Sequence, residues 1–480
     1  MTMARTEHDL IGEREVPEDA YWGIHTLRAR ENFPITGTPI SHYPALIRAL
    51  ALTKSAAAET NQRLGLLPAD IAEAIVTACR EIADGALHEH FVVDVVQGGA
   101  GTSTNMNANE VIANRALELM GRRRGEYAFI HPIEHVNLGQ STNDVYPTAV
   151  RIAVRAVLDE LHIALAHLAA AFAAKAVEFS DHLKMGRTQL QDAVPMTLGQ
   201  EFGTYAVMIG EDIQRLDEAA RLIDEINLGG TAIGTRLNSH PDYAVMACSA
   251  LSALTGYPLT TATDLLEATQ DVGAFVQISG TLKRTAVKLS KVCNDLRLLA
   301  SGPRAGLGEI RLPAVQAGSS IMPGKVNPVI PEVVSQVAYE VIGNDIAITM
   351  SAEAGQLQLN AFEPLIAHKL LESATHMSNA ATILAQRCVP GITADAERMR
   401  TNVERSTGLI TALNPHIGYE AATELAARAL SSDRTVAELA KDAGLLSPAE
   451  IDLLLSPVAL TGRTQVRTHP NPPDAHLPAH

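Results

Sequence analysis

Between residues 154 and 172 apolar side chains recur at Val154, Leu158, Leu161, Leu165, Leu168 and Phe172, stepping by 4, 3, 4, 3 and 4. That spacing holds a single apolar stripe on one helix face. A second stripe runs through Phe275, Ile278, Leu282, Leu289, Val292, Leu296 and Leu299, with Thr285 at its one polar step. Further helical patterns cover roughly 197 to 226, 329 to 353 and 365 to 388. Stripes this long must be covered by other helices. The expected fold is therefore all-α: a long central helical bundle flanked by smaller N- and C-terminal helical domains. Aromatic residues make up only 4% of the chain, as suits helices packed on helices through Ala and Leu. The expected divisions are an N-terminal domain at 1–140, the bundle at 141–390 and a small C-terminal domain at 391–462. The proline-rich end, 463–480, reads as a disordered tail.

Composition removes several function classes. The net charge is −16 with no run of Lys and Arg, so neither nucleic acid nor an anionic membrane is an expected partner. The alanine-rich stretch 163–177 is interrupted by His167 and Lys175, and no membrane span is read there. The start, MTMARTEHD, lacks the apolar core of a secretory signal. Cys79, Cys248, Cys293 and Cys388 are scattered, so buried, reduced thiols in a cytoplasmic protein are expected. The 17 histidines are dispersed. His131 and His135 are four apart, but Pro132 lies between them and no Cys or third His is near. They read as a loop pair, and neither a metal site nor a cofactor is expected.

Four segments concentrate small polar residues beside glycine or proline: QGGAGTSTNMN (97–107), GQSTND (139–144), MGRTQLQDAVP (185–195) and AGSSIMPGKVNP (317–328). Hydroxyls, amides and exposed backbone N–H groups gathered this way suit a small, multiply charged anion. Taken singly, each segment is more commonly a helix cap or turn. The first is not a nucleotide loop, because it lacks the Gly-Lys-Ser/Thr ending and no strand clearly precedes it.

Together the four segments, in this order, resemble the fumarase/aspartase superfamily. The fourth carries that superfamily's defining motif, and the likeness runs from about residue 5 to 460. The resemblance implies a homotetramer whose long helices share one bundle, with active sites shared between subunits, acting on a small-molecule substrate by reversible elimination to fumarate. Three places resemble the aspartase branch: HTLRA (25–29), GQLQLN (355–360) followed by Glu363, and glutamine at 189, where fumarases carry histidine. The reaction this implies is loss of ammonia from L-aspartate, with no organic cofactor.

Removing a β-proton from aspartate puts charge on the adjacent carboxylate as a dianionic aci-carboxylate. That requires a strong base and preorganised donors. By resemblance Ser319 is the base and Lys325 the fixed positive charge. Thr102, Ser141, Thr142, Asn143, Thr188, Ser320 and Asn327 match positions that hold the two carboxylates and the amino group, and Arg28 adds a weaker carboxylate match. Without the resemblance, Ser319 and Ser320 read as turn-shaping serines and Lys325 as a solvated lysine. Fumarase-like members pair the histidine at 189 with a glutamate matching Glu332. This chain keeps Glu332 and has Gln189, which can hydrogen-bond but cannot shuttle a proton.

One expectation needs no family. Asn143 precedes the first stripe and Thr188 follows it. A helix unbroken over about 30 residues sets its ends roughly 45 Å apart, so one chain cannot bring both to one small substrate. The alternatives are a fumarate hydratase, a lyase acting on a fumaryl adduct, and a non-catalytic structural protein on the same scaffold, as some lens proteins are. The last should have lost its catalytic residues, whereas Ser319, Lys325 and Asn143 are all present.

Overall fold

The computed structural model describes residues 4–462. The proline-rich end, read as a disordered tail, lies outside the described residues. Among those described, the long elements are α1 (Pro44–Arg63), α2 (Thr102–Leu119), α3 (Thr142–Glu178), α4 (Leu198–Ala220), α5 (Gly273–Leu299), α6 (Val329–Glu353) and α7 (Glu363–Ile383). Within the described residues the fold is an all-α bundle with four two-stranded ribbons. The largest ribbons are the hairpins β1 (Ala4–Asp9) with β2 (Gly12–Pro17), and β3 (Leu183–Thr188) with β4 (Gln191–Thr197).

Both stripes lie where their spacing puts them. Val154, Leu158, Leu161, Leu165, Leu168 and Phe172 are all buried along α3, and the seven apolar positions of the second stripe are buried along α5. Thr285, the polar step, is buried too, and its hydroxyl donates to the Thr281 carbonyl one turn back. α3 also meets the length and hydropathy criterion for a membrane span, which the 163–177 stretch does not suggest. A core helix of a bundle passes the same test, and the buried stripe accounts for it.

The chain divides into two compact units whose boundaries fall inside helices. The first holds the chain to Ala166 with Glu211–Ser290 and Val333–Thr382. In it, α1 packs on the helices Ala69–Ala83 and Tyr243–Thr255. The second holds His167–Gly210, Lys291–Glu332 and the chain from Ile383 on. Its C-terminal part is a set of short helices whose Leu413, Leu425, Leu439 and Ile451 pack with Met185 of β3. Two of these helices begin with reciprocal caps, Thr435 with Glu438 and Ser447 with Glu450. All four cysteines are buried and unpaired.

The first unit buries several charged groups. Glu110 of α2 accepts from the backbone N–H of Gly23, His25 and Thr26 and from the Thr26 hydroxyl at 2.6 Å, fixing the start of helix Ile24–Asn32. Burial pushes its carboxyl up from 4.5 to about 7, and that of Glu363 up from 4.5 to about 8. A carboxyl raised in the folded state keeps its proton there while the unfolded chain has lost it. Its stabilisation is complete below the unfolded value and fades as pH rises through the folded one. Each group should thus remove about 1.4 kcal/mol of stability per pH unit through this window. Calorimetry at fixed protein concentration is expected to show the melting temperature falling from pH 5 to 7. A rise over that range would contradict these assignments.

Candidate active site

In the first unit the polar segments cap two helices. Gly99, Ala100 and Gly101 are all left-handed, with φ of 89°, 55° and 92°. A Cβ on Gly101 would lie 2.5 Å from the Tyr146 ring, so only glycine lets this loop close on α3. The loop delivers Thr102 as the first residue of α2, its hydroxyl donating to the Gly99 carbonyl at 2.7 Å. At the head of α3, the Asn143 N–H donates to the Ser141 hydroxyl, and the Asn143 side chain donates to the Ala232 carbonyl at 2.7 Å. The Thr142 hydroxyl accepts from the Asn105 amide at 3.0 Å, so the first turns of α2 and α3 meet. Thr102, Ser141, Thr142 and Asn143 therefore stand at two adjoining helix N-termini, where free N–H groups and the helix dipoles favour an anion.

Arg28 is engaged elsewhere in the same unit. Its Nε and one terminal nitrogen donate to the Asp9 carboxylate at 2.7 and 2.8 Å, and it also reaches the Gly12 carbonyl. The arginine beside it pulls the Asp9 carboxyl down to about 2. Arg28 thus pins the β1–β2 turn to its own helix.

In the second unit, the 317–328 segment forms a compact loop ahead of α6. The Ser319 N–H donates to the Lys325 carbonyl, and the Lys325 N–H donates to the Met322 carbonyl. The Ser319 Oγ accepts from the N–H groups of Ile321 and Met322 at 3.2 and 3.1 Å. Two amides aimed at one hydroxyl oxygen form a small nest that would stabilise an alkoxide there. Lys325 and Asn327 line a cavity of about 360 Å³ together with Arg297 and Arg311, while Ser320 is exposed. Glu332 lies in the first turn of α6.

The loop cannot accept a side chain at Gly318. A Cβ there would sit 1.1 Å from the Lys325 carbonyl oxygen. Gly318→Ala is therefore expected to open the loop and lower activity at least about 100-fold, with the melting temperature within a few degrees because the loop is exposed. Steady-state rates beside a melting curve check this. Wild-type activity would mean that the loop's closure does not matter.

Thr188 and Gln189 occupy the tip of the β3–β4 hairpin. Gln189 and Leu190 have φ of 53° and 62°, a two-residue turn left-handed at both positions and normally built from Asn-Gly. Leu190 is exposed. A left-handed backbone at bulky residues costs roughly 1–3 kcal/mol and is tolerated where function needs the geometry. Within one unit the structure therefore gathers Thr102, Ser141, Thr142 and Asn143. In the other, Ser319, Ser320, Lys325 and Asn327 share one loop, and Thr188 and Gln189 share a turn.

His131 and His135 both spend ring nitrogens on backbone amides. His131 accepts from Ile133 and Glu134, and His135 from His131. Among the described residues no three His, Cys, Asp or Glu side chains are grouped to hold a metal ion. Sequence reading passed over Lys54, Asn105, Asn137, Gln140 and Asp144, which lie beneath the first cluster. The available signal was that Asn105, Gln140 and Asp144 fall inside the first two polar segments.

Residues 12–343 match the family described as Lyase, and residues 409–462 match the fumarase C C-terminus. The chain belongs to the fumarase/aspartase superfamily of lyases. It is 59% identical to the aspartate ammonia-lyase of Pseudomonas aeruginosa over 454 residues, 94% of this chain and 96% of that one. With the aspartate ammonia-lyase of Escherichia coli (strain K12) the identity is 52%, over 94% and 95%. Among solved structures, a fumarate lyase:delta crystallin from Brucella melitensis bound to cobalt superimposes with a TM-score of 0.93 at 58% identity, over 95% of this chain and 99% of that one. A class II fumarase from Schistosoma mansoni gives 0.92 at 34% identity, over 96% and 100%.

Proposed function

We propose that this chain is an aspartate ammonia-lyase, converting L-aspartate reversibly to fumarate and ammonia. The observation that carries the reading is the Ser319 loop, an amide nest on a hydroxyl with Lys325 closing the turn, in a chain 59% identical to aspartate ammonia-lyases. In this mechanism Ser319 Oγ removes the β-proton and the electron pair delocalises onto the β-carboxylate. The aci-carboxylate then collapses, expelling the α-amino group as ammonia. The Ile321 and Met322 amides stabilise the serine oxyanion, so that Ser319 can stand deprotonated and accept the β-proton, and Lys325 balances the developing dianion. Thr102, Ser141, Thr142, Asn143, Thr188, Ser320 and Asn327 hold the carboxylates and the amino group, and Gln189 binds without moving a proton. Arg28, with Asp9 on its guanidinium, contributes least.

The site is assembled from several subunits of a homotetramer. α3 runs unbroken for 37 residues, about 55 Å, with Asn143 in its first turn and Thr188 ten residues past its end. α6 supports the same assembly. Tyr339, Ile346 and Met350 are exposed along it, with Gly343 between them, an apolar face at helical spacing that lacks a cover in the single chain. A cytoplasmic location goes with the four buried free thiols.

Absorbance assays with L-aspartate and L-malate test the reading. Fumarate from aspartate supports it; fumarate from malate alone would identify a hydratase instead. Gln189→His should keep at least about a tenth of the deamination rate while altering KM for aspartate, since a binding group and not a proton carrier has been exchanged. An unaltered KM would remove Gln189 from the site.

A further inference from the structure

Beneath the first helix-cap cluster lies a buried polar network that the proposed chemistry leaves unused. Lys54 of α1 is fully buried, and its Nζ donates to Asn137 Oδ1 at 2.8 Å and Gln140 Oε1 at 2.9 Å. Asn137 Oδ1 also accepts from Asn105 and Asn109, and Asn105 donates in turn to the Thr142 hydroxyl. Asp144, equally buried, accepts from the N–H groups of Ser141, Gly229 and Thr231. Asn227 donates to the Asn143 carbonyl. Ser141 and Thr142 are thus each tied to this network by a hydrogen bond, and Asn143 is tied to it through the Ala232 carbonyl, in the loop whose Gly229 and Thr231 amides Asp144 holds.

Such a network is expensive to fold. Burial drives the Lys54 pKa down and the Asp144 pKa up, with their mutual attraction opposing both shifts. Moreover, Lys54 makes its direct contacts with neutral amides rather than a carboxylate. A buried ion costs several kcal/mol before its partners offset it. The side-chain carbonyl oxygens of Asn61, Asn105 and Asn109 are also buried without a protein partner. A region selected for stability alone would hold apolar side chains here. The cost falls directly under three residues that the proposed function assigns to the substrate.

We propose that Lys54 and Asp144 are positioning residues of the substrate site. Out of reach of substrate themselves, they set where Ser141, Thr142 and Asn143 present their donors, Lys54 through Asn137 and Gln140 and Asp144 through backbone amides. This rests on the reading that Asn143 and its neighbours bind aspartate.

A double-mutant cycle on the full-length oligomer tests it, with L-aspartate as the substrate. Lys54→Met is expected to lower kcat/KM about 100-fold, with the same split between KM and kcat as Asn143→Ala. The double variant should be within about threefold of the worse single, because both changes disable one unit. A double variant showing the product of the two losses, or Lys54→Met within threefold of wild type, would overturn the proposal. Should Lys54→Met not fold, Asn105→Ala cuts the bond to Thr142 without touching a buried charge. It should lose about 10-fold in kcat/KM and again be non-additive with Asn143→Ala; unchanged kinetics would count against the proposal. Asn143→Ala with wild-type kinetics would instead remove the underlying reading of the site, and this inference with it.

Discussion

Ser319→Ala is expected to leave a folded oligomer whose kcat for L-aspartate has fallen at least about 1000-fold, some 4 kcal/mol in the barrier. The β-proton of aspartate is so weakly acidic that no water in the site can replace a preformed base. Alanine removes the only atom on which the Ile321 and Met322 amides converge. Stability should barely change, because Ser319 is half-buried on an otherwise exposed loop whose closure runs through its backbone N–H to the Lys325 carbonyl. KM should move little if the substrate is gripped by the other cluster. Steady-state kinetics beside a melting curve separate these effects. A variant with more than a tenth of the wild-type kcat would show that Ser319 is not the base.

The second large effect is recovery of activity from two dead chains. If Ser319 and Asn143 meet only across subunits, Ser319→Ala and Asn143→Ala chains refolded together should form some sites in which both residues are native. Random assortment leaves about a quarter of the sites intact in an equal mixture, against almost none in either homo-oligomer. Differently tagged chains purified through both tags guarantee that mixed oligomers are assayed. No recovery in them would mean that each site takes both residues from one chain.

The bundle was legible because its signal is long. Every apolar position of both stripes is buried, and the limits of α6 coincide with the expected 329–353. Where α4 ends the reading was less sharp. The pattern expected to 226 stops as α-helix at Ala220 and continues as a short 3₁₀ turn, Arg221–Ile223. The hairpins left little trace. GEREVP and DAVPMT lack the β-branched and aromatic alternation that marks a strand, and the β3–β4 turn uses Gln-Leu at left-handed positions where Asn-Gly would have announced it.

The polar segments showed in sequence as clusters of cap and turn residues, and they do cap α2 and α3 and close the loop before α6. What sequence could not convey is the support beneath them. Nothing in the sequence singles out Lys54 or Glu110, since charge in a helical pattern ordinarily faces water; only three dimensions reveal them as buried and hydrogen-bonded. Arg28 is the converse case. Its sequence context suggests a substrate contact, and the Asp9 that engages it lies on a hairpin the sequence does not announce.

The central claim is that this chain breaks the carbon–nitrogen bond of L-aspartate by β-proton abstraction at Ser319. Its most direct test is to quantify ammonia and fumarate together as the purified protein consumes L-aspartate, with the Ser319→Ala variant alongside. The account predicts equimolar release of both products by the native protein and neither by the variant. Ammonia without fumarate, or equal release by the variant, would contradict it.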